Sequence, residues 1–246
     1  MTTMNTQKEY EVLKIQSAWR VYKAKTELRI LKEERDANFS PCIAPYYIKQ
    51  LIDRKDLPRI LQEVYLPESF IDNRENKDYC RHHYTDHLSW AIPDRTSIQA
   101  IINFYKNNKI NYILEIGAGF GLWAGMLSIA RVNIKATDID PNKNLDSYVT
   151  EPYTNVETID ATAAVEKYQD ADCLFICWPA YNKSYAADSV KLFNGKYIIY
   201  IGEGREGCTA NDEFFDILEK DWIREQMLDI KNWWGIHDRM RFYARK

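Results

Sequence analysis

Short apolar runs alternate with stretches of helical character from Ile110 to the end of the chain. The runs that predict strands cover residues 112–116, 133–137, 156–159, 173–177 and 197–201. The stretches that predict helices cover residues 122–130, 161–168 and 185–193, with a further segment near 144–149. Apolar runs of this length, separated by helices, are typical of parallel strands buried on both faces. The pattern therefore predicts an α/β domain built on a mostly parallel sheet.

The last part of the chain departs from this alternation. A helix is predicted over residues 212–222, and two extended runs follow at residues 226–230 and 239–244. Only a short segment separates the two runs, so we expect them to form a closing hairpin. The sheet is then predicted to contain seven strands.

The first 95 residues have a different character. Residues 8–35 contain neither Gly nor Pro and place apolar side chains at helical spacing, which predicts one exposed amphipathic helix. Prolines then divide the chain into short segments, which we expect to form small helices that pack on the main domain. The predicted organisation is an N-terminal helix at 1–37, a helical and irregular segment at 38–95 and the main domain at 96–246.

Composition narrows the class of protein. The 246 residues carry a formal net charge of −3, so no general basic field indicates a nucleic-acid partner. No apolar run approaches the ~20 residues that span a bilayer, and the first residues are polar. The five cysteines are odd in number and lack the spacing of a disulfide framework. These features predict a cytoplasmic protein without a membrane segment.

A glycine-rich turn joins the first predicted strand to the helix that follows. It reads Gly117-Ala118-Gly119-Phe120-Gly121, and Asp138 follows the next strand. Glycines let a ligand approach the backbone, the helix start presents free N–H groups, and an acidic residue at the next strand can accept from ribose hydroxyls. The turn therefore indicates a site for a nucleotide-like ligand.

Two cofactor templates fit these glycines. Counted from Gly119, the spacing G-x-G-x-x-A matches a dinucleotide fingerprint and favours a nicotinamide enzyme. That template leaves Gly117 and Ala118 as unexplained extra residues. Counted from Gly117, the spacing is E-x-G-x-G-x-G, with Glu115 two residues before the first glycine. A Rossmann-like domain that holds no ligand is a third interpretation.

The second spacing, with Asp138 after the second strand and Asp160 after the third, resembles class I S-adenosylmethionine-dependent methyltransferases from about Trp90 to the C-terminus. The resemblance implies a Rossmann-like sheet with an antiparallel C-terminal hairpin. It also implies that Asp138 holds the ribose hydroxyls, that Asp160 lies near the adenine amino group and that Glu115 orients the turn or the donor's amino group. The methionine part and ribose would be bordered by Gly117, Gly119 and Gly121.

Three further strings narrow the resemblance to a subgroup of methyltransferase-like proteins without an established substrate. They are Trp90-Ala91-Ile92-Pro93, the glycine turn with Trp123-Ala124, and Cys177-Trp178-Pro179. We therefore expect an S-adenosylmethionine-dependent methyltransferase whose methyl acceptor the sequence does not identify.

Methyl transfer depends mainly on positioning, so the chemistry requires no dedicated acid or base. The end of the fourth strand resembles the position where amino-group methyltransferases carry a polar residue, two prolines and an aromatic residue. Here Trp178 replaces the polar residue and Ala180 the second proline, which argues against an adenine amino group as acceptor. Trp178 and Tyr181 are candidates for stacking on a planar substrate, or they close the top of the sheet.

Glu203, His237 and one cysteine–histidine cluster are weaker candidates. Glu203 follows the fifth strand in a glycine-rich loop, where it contacts a substrate or belongs to a plain turn. His237 falls in the closing hairpin. Cys80, His83 and His87 have zinc-type chemistry, but they lack a second paired cluster, so no metal is predicted.

The N-terminal helix suggests a protein partner. The segment from Ile15 to Lys25 resembles an IQ motif, the helix that calmodulin-type EF-hand proteins bind. Residues 14–32 carry a net charge of +5 on an amphipathic helix, which would attract an acidic partner. Packing of this face on the protein's own domain is the alternative. A rival function follows, namely a catalytically inactive adaptor that binds a calmodulin-like protein through this helix.

Overall fold

The computed structural model describes residues 45–64, 77–143, 145 and 149–246. The amphipathic helix predicted at 1–37, with its IQ-like segment from Ile15 to Lys25, lies outside the described residues. Most of the helix predicted near 144–149 lies outside them as well, and the two described residues of that segment are not helical.

Seven strands form one sheet in the order β3-β2-β1-β4-β5-β7-β6. The first five strands are parallel, whereas β7 runs antiparallel to β5 and β6 antiparallel to β7. This confirms the predicted Rossmann-like, mostly parallel sheet with an antiparallel C-terminal pair. The strands are β1 (Ile113–Ile116), β2 (Ile134–Asp138), β3 (Val156–Thr158), β4 (Cys173–Cys177), β5 (Tyr197–Gly202), β6 (Trp222–Asp229) and β7 (Arg239–Arg245).

Eight helices are described around the sheet. In chain order they are α1 (Pro45–Asp53), α2 (Leu57–Glu63), α3 (Lys77–His87), α4 (Arg95–Asn107), α5 (Leu122–Ile129), α6 (Ala161–Lys167), α7 (Tyr185–Leu192) and α8 (Asp212–Asp221). Among the described residues, none of them is long and apolar enough to cross a membrane.

Burial of the strands follows their place in the sheet. All four residues of β1 are buried, as are the first four of β4, whereas the edge strand β3 is only partly covered. A strand between two neighbours, with helices on both faces, has no solvent side, which is why β1 and β4 are continuous apolar runs. The core therefore lies around the strands that carry the glycine turn.

The order of strands places a crevice beside β1. From β1 the chain continues to β2 on one side and, after β3, crosses to β4 on the other. The loops that leave β1 and β4 therefore diverge at their carboxyl ends, where ligands bind in open parallel sheets. The fold brings the glycine turn after β1 and Trp178 after β4 to this edge.

The boundary between α8 and β6 differs from the prediction. Trp222 was predicted to end a helix, but it has extended backbone angles and begins β6. Its ring is buried against Phe193, and the guanidinium of Arg245 lies 4.3 Å from its centroid. Pairing with β7 and burial of the indole therefore outweigh the helical pattern of the preceding residues.

Candidate functional site

The glycine turn after β1 leads directly into α5. Gly121 precedes the helix with φ 74°, a left-handed conformation, and no side chain caps the first turn. A Cβ on Gly121 would lie 2.7 Å from Cγ2 of Val156, so glycine is needed where the helix approaches the next part of the chain. Gly119 also has a left-handed φ of 54°, but a Cβ there would meet nothing within 4 Å. The turn is therefore packed on one side and open on the other.

The carboxylate of Asp138 faces the open side of this turn. Its Oδ2 accepts a hydrogen bond from the backbone N–H of Gly119 at 2.9 Å, and its Oδ1 accepts from the N–H of Asp140 at 2.9 Å. Both bonds hold the carboxylate at the carboxyl end of β2. Each oxygen keeps a further lone pair for hydroxyl donors, because a carboxylate oxygen can accept more than one hydrogen bond.

Glu115 is a buried carboxyl group next to the cleft. Its residue is 1% exposed, and Oε2 has no hydrogen-bond partner among the described residues. Burial, reinforced by the nearby charge of Asp138, raises the pKa of Glu115 from 4.5 to about 8, although a bond from the N–H of Ala124 opposes the shift. A buried oxygen without a donor is costly, so a ligand that supplies an N–H or a positive charge here gains binding energy.

A cleft at the carboxyl ends of the strands joins these groups. Glu115, Gly117, Gly119 and Asp138 line it, whereas Gly121, which was predicted to border the same ligand, does not. Its other wall comes from the last turn of α3 and the residues that follow it, and the indole N–H of Trp123 donates to Oγ of Ser89 at 3.0 Å on that side. The structure adds Leu88 and Ser89 to the lining, and it places there Trp90 and Cys177, which the sequence marked only as members of the subgroup strings.

The cleft is acidic. Asp86 and Asp140 line it together with Glu115 and Asp138, and Lys143 is the one basic residue among the described residues that line it. A site with this excess of carboxylates repels an anionic ligand and attracts a cationic one.

Asp160 lies elsewhere. It is the N-cap of α6, where its Oδ1 accepts from the backbone N–H of Thr162 at 2.9 Å and from the Thr162 hydroxyl. These bonds lower the pKa of Asp160. Asp160 is not among the residues that line the cleft, so its geometry favours a capping role over a ligand contact.

Trp178 is fixed by its neighbours at the end of β4. Its indole N–H donates to Oδ2 of Asp238 at 2.6 Å, and its backbone N–H donates to the carbonyl of Ile201 at 2.8 Å. Its ring stacks on that of Trp90, with centroids 5.1 Å apart and planes 21° apart. Trp178 has φ 52°, a left-handed value that is uncommon for a bulky residue and that these contacts maintain.

Asp238 is a second buried carboxyl group at this edge. Its Oδ1 has no hydrogen-bond partner among the described residues. Burial raises the pKa of Asp238 from 3.8 to about 7, while the bond from Trp178 and the charges of Arg81 and Arg241 oppose the shift. The neighbour of His237 in the sequence thus has a structural role that the sequence did not reveal.

Glu203 holds the loop that follows β5. Its Oε2 accepts from the N–H of Cys208 at 2.6 Å and its Oε1 from the N–H of His237 at 2.9 Å. These bonds lower its pKa even though burial acts in the opposite direction. Because both oxygens accept backbone hydrogen bonds and the residue is buried, the geometry of Glu203 favours a role in holding the loop over a contact with substrate.

The remaining candidates are exposed or outside the cleft. Tyr181 is 66% exposed, and the side chain of His237 is 85% exposed. Neither lines the cleft. In the described part of the chain, no group of three or more His, Cys, Asp or Glu side chains is placed to hold a metal ion.

Comparison with known proteins finds likeness in structure alone. No protein-family model matches the chain, and no curated protein matches it. The solved structures that resemble it include a putative caffeoyl-CoA O-methyltransferase from Staphylococcus aureus, with 16% identity over 79% of this chain and 99% of that one, at a TM-score of 0.42.

Two further solved structures resemble the chain to a similar degree. The N-methyltransferase NodS from Bradyrhizobium japonicum has 12% identity over 62% of this chain and 95% of that one, at a TM-score of 0.42. The methyltransferase domain of bacterial CtHen1 has 11% identity over 60% of this chain and 96% of that one, at 0.43. At these similarities, what the cleft binds has to be inferred from its own residues.

Proposed function

We propose that the protein is an S-adenosylmethionine-dependent methyltransferase. One observation carries the proposal, namely the unpaired Oε2 of buried Glu115 beside the cleft that Asp138 and open Gly119 also line. The donor has a matching group for each of these features. Its methionine ammonium can donate to Glu115, its ribose hydroxyls can donate to Asp138, and the bare backbone at Gly119 gives it room to approach.

The charge of the cleft distinguishes this donor from a nicotinamide dinucleotide. A dinucleotide brings a pyrophosphate, which the three aspartates of the cleft, Asp86, Asp138 and Asp140, would repel. S-adenosylmethionine instead carries a sulfonium and an ammonium, so the same field attracts it. This argument agrees with the spacing counted from Gly117, which also accounts for Glu115.

The bound donor would supply an electrophilic methyl group, and the protein's own residues would supply position and a dry environment. Glu115 and Asp138 hold the two ends of the site from neighbouring strands. Trp90 and Cys177 line the cleft on the side of β4, where an acceptor can reach it. Exclusion of water and alignment of the acceptor account for most of the rate enhancement in such a transfer.

Calorimetric titration with S-adenosylmethionine tests the proposal. We expect micromolar binding by the wild-type protein and at least tenfold weaker binding by Glu115→Gln. The Glu166→Gln variant, at an exposed position on α6, should bind like wild type. Methylthioadenosine lacks the ammonium, so Glu115→Gln should leave its affinity unchanged.

Two results would overturn the proposal. The first is the absence of binding heat for S-adenosylmethionine at millimolar concentration with a protein that is folded by circular dichroism. The second is tighter binding of NAD than of S-adenosylmethionine.

A further inference from the structure

Trp90 links the donor cleft to the end of β4. Its ring lines the cleft and stacks on Trp178, yet the residue remains 47% exposed. Covering the exposed part of this large ring with a ligand would remove apolar surface from water, which favours binding. The exposed part of Trp90 is therefore a surface that a ligand could cover.

The ring on which Trp90 packs is held by its neighbours. Trp178 stacks on Trp90 and is itself hydrogen-bonded to Asp238 and to the carbonyl of Ile201. A ligand that stacks on Trp90 would not have to order these rings, and such preorganisation favours binding.

Aromatic surfaces bind two kinds of ligand, flat rings and cations. The guanidinium of Arg81 lies 5.9 Å from the Trp178 ring and so already places a positive charge at this stack. Among the described residues, no carboxylate forms a salt bridge with Arg81 at 4.0 Å or less. Arg81 would repel a second cation at the stack, and the aspartates of the cleft would repel an anion, so a neutral ring fits both charges.

We infer that the methyl acceptor is a flat, neutral aromatic molecule that stacks on the exposed face of Trp90. This inference rests on the proposed function, because it assigns the acceptor of the same site. A nucleophilic heteroatom of the acceptor would form the new bond to the methyl carbon with its own electron pair. The electrons of the broken carbon–sulfur bond stay on sulfur, which becomes a neutral thioether, and the acceptor's proton leaves to water.

Matched probes test the inference with the full-length protein. 2-Naphthamide is flat and neutral, decahydro-2-naphthamide is neutral but has puckered rings, and 2-naphthylmethylammonium is flat and cationic. Binding is measured by ligand-observed NMR in the presence of saturating S-adenosylhomocysteine, whose own binding is measured on the same samples. We expect 2-naphthamide to bind roughly fivefold or more tightly than either counterpart, which is the size of a stacking contribution.

Variants at Trp90 separate stacking from general damage to the site. Trp90→Phe keeps a flat ring and Trp90→Leu does not. The ratio of the affinity for the flat probe to that for the puckered probe should therefore persist in Trp90→Phe and fall to about one in Trp90→Leu. Any effect on the donor site changes all probes alike and leaves this ratio unmoved. Ile223→Ala, an exposed apolar position on β6, is the matched surface control.

The results separate the inference from the proposed function. If S-adenosylhomocysteine binds but flat and puckered probes bind equally, or Trp90→Leu keeps the preference, the inference is wrong and the proposed function stands. A preference for the cationic probe would also refute it. If S-adenosylhomocysteine does not bind, the proposed function fails and this assignment of the acceptor fails with it.

Discussion

The carboxylate of Asp138 accepts a hydrogen bond from the backbone N–H of Gly119 at 2.9 Å. This bond ties the end of β2 to the glycine turn after the neighbouring strand β1. It fixes the turn in its open form and holds the carboxylate at the rim of the cleft. A single side chain therefore shapes the turn and offers acceptors to a ligand.

Removal of this carboxylate should weaken donor binding. We expect Asp138→Ala to bind S-adenosylmethionine about tenfold to a hundredfold more weakly, because hydrogen bonds to a charged group contribute about 1.5–3 kcal/mol each. Asp160→Ala is the matched comparison. It should lower the free energy of unfolding by about 1 kcal/mol through loss of the α6 cap and leave donor affinity unchanged. Calorimetry and thermal melts check both, and equal losses of affinity would contradict the capping role of Asp160.

The stability of the protein should depend on pH through Glu115. Its pKa lies above the unfolded value of 4.5 at about 8, so the folded state binds more protons between these values. Stability from this group is fully present below pH 4.5 and is lost as pH rises to about 8. The Glu115→Gln variant stays neutral, so it should exceed wild type in stability at pH 8 and match it near pH 4.5.

The difference in free energy of unfolding between Glu115→Gln and wild type is set by the pKa shift of Glu115, at about 1.4 kcal/mol for each pKa unit. Urea unfolding of both proteins from pH 4.5 to 8 measures it, and the difference cancels contributions from other groups such as Asp238. A difference that is constant with pH would show that Glu115 is ionised in the folded protein.

Donor binding should release a proton. In the ligand-free protein at pH 7, the carboxyl group of Glu115 is mostly protonated, because its pKa is about 8. An ammonium beside it favours the carboxylate and lowers this pKa, so the wild-type protein should release nearly one proton for each donor molecule bound. Binding enthalpies in buffers of different ionisation enthalpy report the number. The Glu115→Gln variant should show no release, and equal release by both proteins would place the proton elsewhere.

Alanine at two glycines of the turn should have different effects. A Cβ on Gly121 would meet Cγ2 of Val156 at 2.7 Å and Cγ2 of Thr154 at 2.9 Å, so Gly121→Ala should destabilise the fold by about 1–3 kcal/mol beyond backbone strain. A Cβ on Gly119 would point into open space, so Gly119→Ala should cost only about 1–2 kcal/mol from its positive φ.

The folded Gly119→Ala protein should nevertheless lose donor affinity, because the added methyl group occupies space that the ligand needs. Urea unfolding and calorimetry separate the two effects. Unchanged affinity in Gly119→Ala would show that no ligand approaches the backbone at this turn.

The indole of Trp178 should stabilise ionised Asp238. Trp178→Phe removes the N–H that donates to Oδ2 of Asp238. Because Oδ1 has no partner among the described residues, neither oxygen of this buried carboxyl group then has a hydrogen-bond donor there. We expect a loss of about 1–3 kcal/mol above pH 7, where Asp238 is ionised, and a smaller loss near pH 5, where it is protonated. Urea unfolding at both pH values measures this, and adding Asp238→Asn should remove the pH dependence. An equal loss at both values would indicate lost packing alone.

The sequence by itself determined the succession of strands and helices along the chain and the place of the glycine turn. The run at 173–177 coincides with β4, and the turn from Gly117 to Gly121 joins β1 to α5 as predicted. These features depend on local patterns, since apolar runs, glycines and helix starts act over a few residues. The pairing of Asp138 with the turn follows from the crossover rule that places successive parallel strands side by side.

Only the tertiary structure decided which side chains share the cleft and which oxygens lack a partner. Trp90 comes from the region before the first strand, yet it stacks on Trp178, which Asp238 holds from the other end of the domain. Glu203 was a candidate for substrate contact in the sequence, and the structure engages both of its oxygens with backbone N–H groups. Burial and hydrogen bonding depend on contacts between segments far apart in the chain, and no local pattern encodes them.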